Sequence, residues 1–206
     1  MSKRVIAYVD GFNLYHGLQG LSRRRDLWLD IAGMLRRNFV DPARDEQLVA
    51  VHYFTAAVRG PGWARQDTYL RALQAHSPEL TVHLGRYMPK TATCKKCGAT
   101  WTTYEEKESD VALAVQIVQD AGLGAYDQAL VVSADSDMCP AIRAAKTVAR
   151  ARDIVAVFPP KRSSMDVRNT ADRTLKIFEK VPRRHQLPPV VVAPDGTKYT
   201  RPPYWV

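Results

Sequence analysis

Short apolar strands and amphipathic helices alternate along this chain, and that alternation leaves few folds open. Val5 to Val9 (Val-Ile-Ala-Tyr-Val) is continuous, β-rich and apolar, the pattern of a strand buried on both faces, and it ends at Asp10. Gly11-Phe12-Asn13 reads as a turn, and Leu14 to Leu21 as the start of a helix or an irregular loop. Leu29 to Asn38 has apolar positions at helical spacing. Leu48 to Ala57 reads as a second strand, Trp63 to His76 as a helix and Leu80 to Tyr87 as a third strand. Ser109 is placed to cap a helix that runs to about Ala121, with Gly122 as its stop. A fourth strand (Asp127 to Ser133), a helix (Met138 to Val148) and a fifth strand (Ile154 to Phe158, closed by Pro159-Pro160) follow, and Val167 to Lys180 holds a final helix. This order predicts an α/β fold of Rossmann-like kind, a mainly parallel sheet with helices on both faces.

The length of 206 residues suits one large domain. We expect that domain over residues 1–181, with a polar, cysteine-containing insertion at 88–108, and a Pro-rich extension over 182–206 that packs back as a strand, a turn and an anchored end. No apolar run approaches the ~20 residues of a membrane helix. The apolar stretch after Met-Ser-Lys-Arg is too short for a signal-peptide core and is interrupted by Asp10, so the expectation is a cytoplasmic protein with no membrane partner. The net charge is +9. The excess is local: Arg143 to Lys176 holds nine basic residues against three acidic ones, and Arg23-Arg24-Arg25 adds a second cluster. Such a surface favours a polyanion, and equally serves solubility.

In an open parallel sheet, ligands gather beyond the carboxyl ends of the strands. Asp10 stands at that end of the first strand. Asp135 and Asp137 stand just past the fourth, and Asp110 lies in the first turn of the helix before it. Four clustered carboxylates repel one another, and the usual relief is a hard divalent cation with oxygen ligands. Mg²⁺ or Mn²⁺ held in this way can activate a water against a phosphodiester. An Asp after a strand is also a common turn former, so the argument rests on the four together.

Three blocks carry a resemblance. Tyr8-Val-Asp-Gly-Phe-Asn-Leu-Tyr15, Glu106-Lys-Glu-Ser-Asp-Val-Ala-Leu-Ala114 and Val132-Ser-Ala-Asp-Ser-Asp137, with Pro140 and Ile142, resemble the NYN domain family, PIN-like nucleases of the bacterial LabA/DUF88 type. The tail is similar too, in Leu187-Pro-Pro and in Asp195-Gly followed by Arg201-Pro and Trp205. The resemblance implies a PIN-like three-layer α/β/α sandwich and metal-dependent cleavage of RNA. It makes Asp10, Asp110, Asp135 and Asp137 the acids that hold Mg²⁺ or Mn²⁺. Asn13 would orient a water or a phosphate, and Ser133 and Ser136 would support the metal shell or meet the nucleic acid. Ala134 stands where the family often has Gly. PIN-like domains often pair to build a groove, so a homodimer is compatible with the resemblance.

The expected chemistry is in-line attack of a metal-activated water on phosphorus. Lys107, Lys161 and Arg162 are candidates for neighbouring phosphates, and Ser163 and Ser164 for capping a helix that faces one. Phe12, Tyr15, Trp63 and Trp101 are candidates for stacking on bases, Phe12 being the one expected to be buried. Thr93-Cys94-Lys-Lys-Cys97-Gly98 is half of a zinc knuckle. Four ligands would need His76, His83, an acid such as Glu105, or a second chain. Cys139 reads as a small buried residue. Two other functions compete. One is an RNA-binding or adaptor module on the same scaffold. The other is a Mg²⁺-dependent phosphatase of the haloacid dehalogenase type, which needs a second Asp where this chain has Phe12.

Overall fold

A computed structural model describes residues 2–22, 25–58, 60–149 and 152–205. Strands β1 (Lys3–Asp10), β2 (Glu46–Ala56), β3 (Leu80–Thr93), β4 (Thr100–Lys107), β5 (Gln128–Val132), β6 (Asp153–Phe158) and β7 (Arg173–Lys176) form one seven-stranded sheet in the order β4-β3-β2-β1-β5-β6-β7. Every pairing is parallel except β3 with β4. Successive residues of a strand point to opposite faces, and β1 shows it plainly. Val5, Ala7 and Val9 enter the core on one face, and Ile6 and Tyr8 enter the core on the other. The first face is covered by α1 (Gly11–Ser22), α2 (Ile31–Phe39) and α3 (Trp63–His76), the second by α4 (Ser109–Leu123), α5 (Cys139–Val148) and α6 (Met165–Thr170). This is the α/β sandwich that the alternation predicts, and it is consistent with a PIN-like fold. No helix of the described residues is long and apolar enough to cross a membrane.

Several local expectations are corrected. Gly11-Phe12-Asn13 is the first turn of α1, not a separate turn, because the Asn13 N–H donates to Asp10 Oδ1 at 2.9 Å and Asp10 caps the helix. Ser109 is the buried first residue of α4 and not its cap; the preceding Glu108 takes a left-handed conformation at φ 83°. Gly124, at φ 67°, ends that helix, two residues beyond the expected stop. The segment read as an insertion is the distal part of β3 and its return strand β4, which pair antiparallel from Arg86↔Lys107 to Thr93↔Thr100. The last expected helix is helical only at its two ends, in α6 and from Lys180, and its middle holds the strand β7. The Ile154 N–H donates to Asp172 Oδ2 at 2.8 Å and the Asp172 N–H to the Ile154 carbonyl at 2.9 Å, which starts β7 beside β6.

The C-terminal residues 182–205 include most of α7 (Lys180–Arg184) and the hairpin of β8 (Val190–Val192) and β9 (Lys198–Thr200). They meet the first face through Trp28, whose indole N–H donates to the Pro188 carbonyl at 2.8 Å. The Trp205 ring lies 6.3 Å from that of Trp28 and 5.6 Å, edge-on, from that of Tyr69. Replacing Trp205 by Ala empties this aromatic joint. We expect Trp205→Ala to cost ~3 kcal/mol, a fall of roughly 6–12 °C in melting temperature. An unchanged melting temperature would show that the tail contributes nothing to the fold.

Candidate active site

The strand order reverses between β1 and β5, which lead away from one another to β2 and to β6. That switch point opens a crevice at the carboxyl ends of the two central strands. Asp10 ends β1 there, and Ser133 to Asp137 follow β5 directly. Asp10 is buried. Its Oδ1 accepts the Asn13 N–H, and its Oδ2 accepts the Ser133 hydroxyl at 2.8 Å. The Ser133 Oγ in turn accepts the Asp135 N–H at 3.0 Å, and Asp135 Oδ1 accepts the Asp137 N–H at 3.0 Å. The Asn13 side-chain oxygen accepts the Ala134 N–H at 3.1 Å, tying α1 to the loop after β5. Asp10, Asn13, Ser133, Asp135 and Asp137 are thus one hydrogen-bonded chain. Ser136 sits between the last two, exposed, in the short helical turn Ser136–Met138.

Gly11 is what allows α1 to start so close to the sheet. A Cβ on it would lie 2.6 Å from the Phe54 carbonyl oxygen and 2.9 Å from the Tyr53 ring. Asp110 comes from the other side, in the first turn of α4. The left-handed Glu108 before it is a strained conformation for a residue with a side chain, and such strain collects at functional sites. Glu108 is paired with Arg86, Oε2 to Nε 3.3 Å.

The electrostatics show that the acids share a neighbourhood. Burial pushes the Asp10 carboxyl up to about 6, helped by the charges of Asp110 and Asp135 and opposed by its bonds to Asn13 and Ser133. Asp110, although exposed at the rim, is also raised, by partial desolvation and then by Asp135 and Asp137. Among the described residues none of the four forms an ion pair. Nor do three or more His, Cys, Asp or Glu side chains there enclose a single point tightly enough to hold a metal unaided. The donor set still fits a hard cation: these are oxygen ligands, mutually repelling and without a counter-charge, in an open rim whose remaining positions water or phosphate oxygens can fill.

The other sequence candidates scatter. The Lys161 ammonium donates to the Gly20 carbonyl at 2.8 Å, over the last turn of α1 and away from Asp10. Arg162 is half-buried in the loop after β6. Ser163 lines a separate groove with Arg168 and Lys176. Ser164, not Ser163, caps α6, accepting the Val167 N–H at 3.3 Å. The Lys107 side chain, like those of Glu105 and Glu106, lies outside the described residues, as do Arg23, Arg24 and Arg150. Much of the basic excess is structural: Lys146 pairs with Asp172 at 2.7 Å, and Arg152 and Arg173 bond Ala121 and Gln128. His76 and His83 do not approach the cysteines in a shared site; His76 is 3.6 Å from Asp30, and His83 bonds His52 at 3.0 Å. Cys139 is buried at the start of α5, as expected.

Two features were missed. A groove beside Asp137 is lined by Ser136, Arg143, Asp166 and Asn169. Only the local charge excess hinted at Arg143. On the other side of Gly11 lies a cavity of about 270 Å³ walled by Phe12, Tyr15, Tyr53, Arg65, Tyr204 and Trp205. The Arg65 guanidinium sits over the Tyr204 ring, 4.8 Å from its centroid. Phe12, expected in the core, is half-buried here and meets Tyr87 edge-on at 6.3 Å. The cavity joins residues from four segments, which no local pattern could signal.

The α/β sandwich is consistent with a PIN-like fold, and its class is that of a typically nuclease-like family. The chain belongs to the NYN domain family, whose sequence model matches residues 4–178. It is similar to the 6-hydroxy-3-succinoylpyridine 3-monooxygenase HspA of Pseudomonas putida (strain DSM 28022 / S16), at 27% identity over 68% of this chain; it spans only 54% of that relative's length. Its fold is similar to the crystal structure of VPA0982, a protein of unknown function from Vibrio parahaemolyticus RIMD 2210633. That match has a TM-score of 0.55 and 16% identity, and covers 85% of this chain and 93% of the other.

The buried charge at Asp10 has a stability signature. Its folded carboxyl titrates near 6, above the ~3.9 of an unfolded Asp, so the folded state holds its proton longer. Stability attributable to Asp10 is therefore intact below pH ~3.9 and is lost as pH rises through 6. We expect Asp10→Asn, whose amide oxygen still accepts the Asn13 N–H and whose NH2 donates to the Ser133 Oγ in place of the reverse bond, to stabilise the protein at pH 7.5 by up to about 3 kcal/mol and by nothing at pH 3.5. Denaturant melts at the two pH values read this directly. A destabilised variant at pH 7.5 would mean that the charge is already neutralised within the protein.

Proposed function

We propose that this protein is a metal-dependent ribonuclease that hydrolyses RNA phosphodiester bonds at the rim formed by Asp10, Asp110, Asp135 and Asp137. The observation that supports the reading is that four carboxylates with no ion pair among the described residues lie close enough to act on one another, the innermost buried and hydrogen-bonded through both oxygens. Asp10, Asp110 and Asp135 would hold Mg²⁺ or Mn²⁺, with Asp137 at the edge. The ion, when bound, would make a water more acidic and offset charge on the phosphate. Ser133 and the Asn13 N–H fix both oxygens of Asp10, so the carboxylate cannot swing away from the rim. Asn13 holds the loop after β5 through Ala134, which sets Asp135 relative to Asp10. Arg143 offers a cation for the phosphate backbone in the groove beside Asp137. RNA is the partner in this reading, and the cytoplasm, where the three free cysteines stay reduced, is its setting. The phosphatase alternative gains nothing, since the position that would carry its acid is Phe12, half-buried against Tyr87.

One observation favours a second reading. The aromatic cavity beside Asp10 has the walls and the cation to hold a small heteroaromatic acid, and the Pseudomonas relative is named for action on a succinoylpyridine. Cleavage of labelled single-stranded RNA with Mn²⁺, Mg²⁺ or EDTA, beside the Asp135→Asn variant, separates the two. We expect metal-dependent cutting and a loss of at least about 100-fold in the variant. RNA bound but uncut by the wild type would shift the reading to a binding module. No RNA binding, with a thermal shift by nicotinate that Arg65→Ala abolishes, would favour the small-molecule site.

A further inference from the structure

Beyond the sheet, β3 and β4 continue as a two-stranded arm. β3 is held by β2 only from Leu80 to Gly85. From Arg86 to Thr93 it pairs with β4 alone, in eight residue pairs that reach roughly 23 Å at about 3.3 Å per residue. A lone two-stranded ribbon is marginal in water, and this one leaves Met88 and Trp101 about half exposed, at 54% and 51%. Its tip is the turn Cys94 to Gly98. Cys94 and Ala99 close it with an N–H to carbonyl bond of 2.8 Å, and the Gly98 N–H donates to the Cys94 carbonyl at 2.9 Å. Gly98 sits at φ 69°, where a side chain would be strained. Hydrogen bonding from the Cys97 and Lys96 backbone and from the Cys97 side chain lowers the Cys94 thiol from its ordinary range. Two sulfurs on one side of a tight turn, one of them receiving backbone N–H groups, form half of a tetrahedral metal site.

The other half is not found within the described residues of this chain. A structural zinc takes four ligands. Cys139 is buried under α5, His76 and His83 are engaged with Asp30 and His52, and no third ligand joins the pair among the described residues. A second copy supplies what is missing, because a two-fold axis through the tip brings an identical Cys94–Cys97 pair to the same point. We propose that two copies of this chain join arm to arm through one Zn²⁺ held by Cys94 and Cys97 of each. The four sulfurs bind as thiolates and their protons pass to solvent. The joint staples two marginal ribbons and covers Trp101, which lies opposite Ala92 near the tip. Because the arm's base joins Arg86 to Glu108, two residues before Asp110, and Tyr87 to Phe12, two residues after Asp10, the pair would also set the separation of two sites on one body.

Native mass spectrometry of the full chain, expressed with zinc, tests this together with light scattering. We expect a dimer with one zinc per two chains. We expect Cys94→Ser and Cys97→Ser to give zinc-free monomers with an unchanged far-ultraviolet spectrum. Cobalt(II) in place of zinc should show the visible bands of a tetrahedral site and thiolate charge transfer of four-sulfur intensity. A monomer holding its own zinc, a dimer without metal, a zinc-free monomer, or cobalt bands of two-sulfur intensity would each overturn the proposal. These readouts are independent of RNA cleavage.

Discussion

Carboxylates that have no counter-charge among the described residues, gathered where the sheet changes direction, are the constraint on which the rest of this structure depends. A buried Asp is costly when ionised, and neighbouring acids raise the cost. Asp10 bears both burdens, at 7% exposure with Asp110 and Asp135 acting on it. What keeps it in place is a scaffold that gives it no freedom. β1 is buried on both faces, Gly11 starts α1 against β2, and the Ser133 hydroxyl and Asn13 N–H hold its two oxygens. The arrangement costs the isolated fold stability, and its oxygen donors are of the kind a hard divalent cation takes.

The same scaffold explains what surrounds the acids. α1 and the loop after β5 are tied through Asn13 and Ala134, which joins the two halves of the crevice. The aromatic cavity lies on one side of Gly11 and the Arg143 groove beyond Asp137 on the other. The acidic rim therefore sits between an aromatic pocket and a groove that carries Arg143 together with Asp137 and Asp166.

The alternation of strands and helices made the sheet and its two helical layers legible, because binary patterning reports burial directly. Asp10, Asp135 and Asp137 were legible for a related reason: carboxyl ends of parallel strands are where sites form, and a strand's end can be read locally. β7 was not legible. Its four residues, Arg173 to Lys176, are half-exposed at an edge and too few to show a period. The arm was taken for an insertion because its residues are mostly polar and carry the cysteine pair, unlike the apolar run of a buried strand. Lys161 was assigned to phosphates from its place after a strand, yet its ammonium bonds the Gly20 carbonyl, a contact 141 residues back along the chain. The cavity walls come from α1, β2, α3 and the C-terminal segment, and only tertiary packing unites them.

The central claim is that the rim binds a divalent cation. The most direct test is thermal melting with and without Mn²⁺ at pH 7.5, in the wild type and in Asp10→Asn. A cation that binds only the folded state raises its melting point in proportion to affinity, and at one hundred times its dissociation constant adds about 2.7 kcal/mol. The account predicts a saturable rise of several degrees in the wild type and little or none in the variant. Equal shifts in both proteins, or none in either at millimolar Mn²⁺, would contradict it.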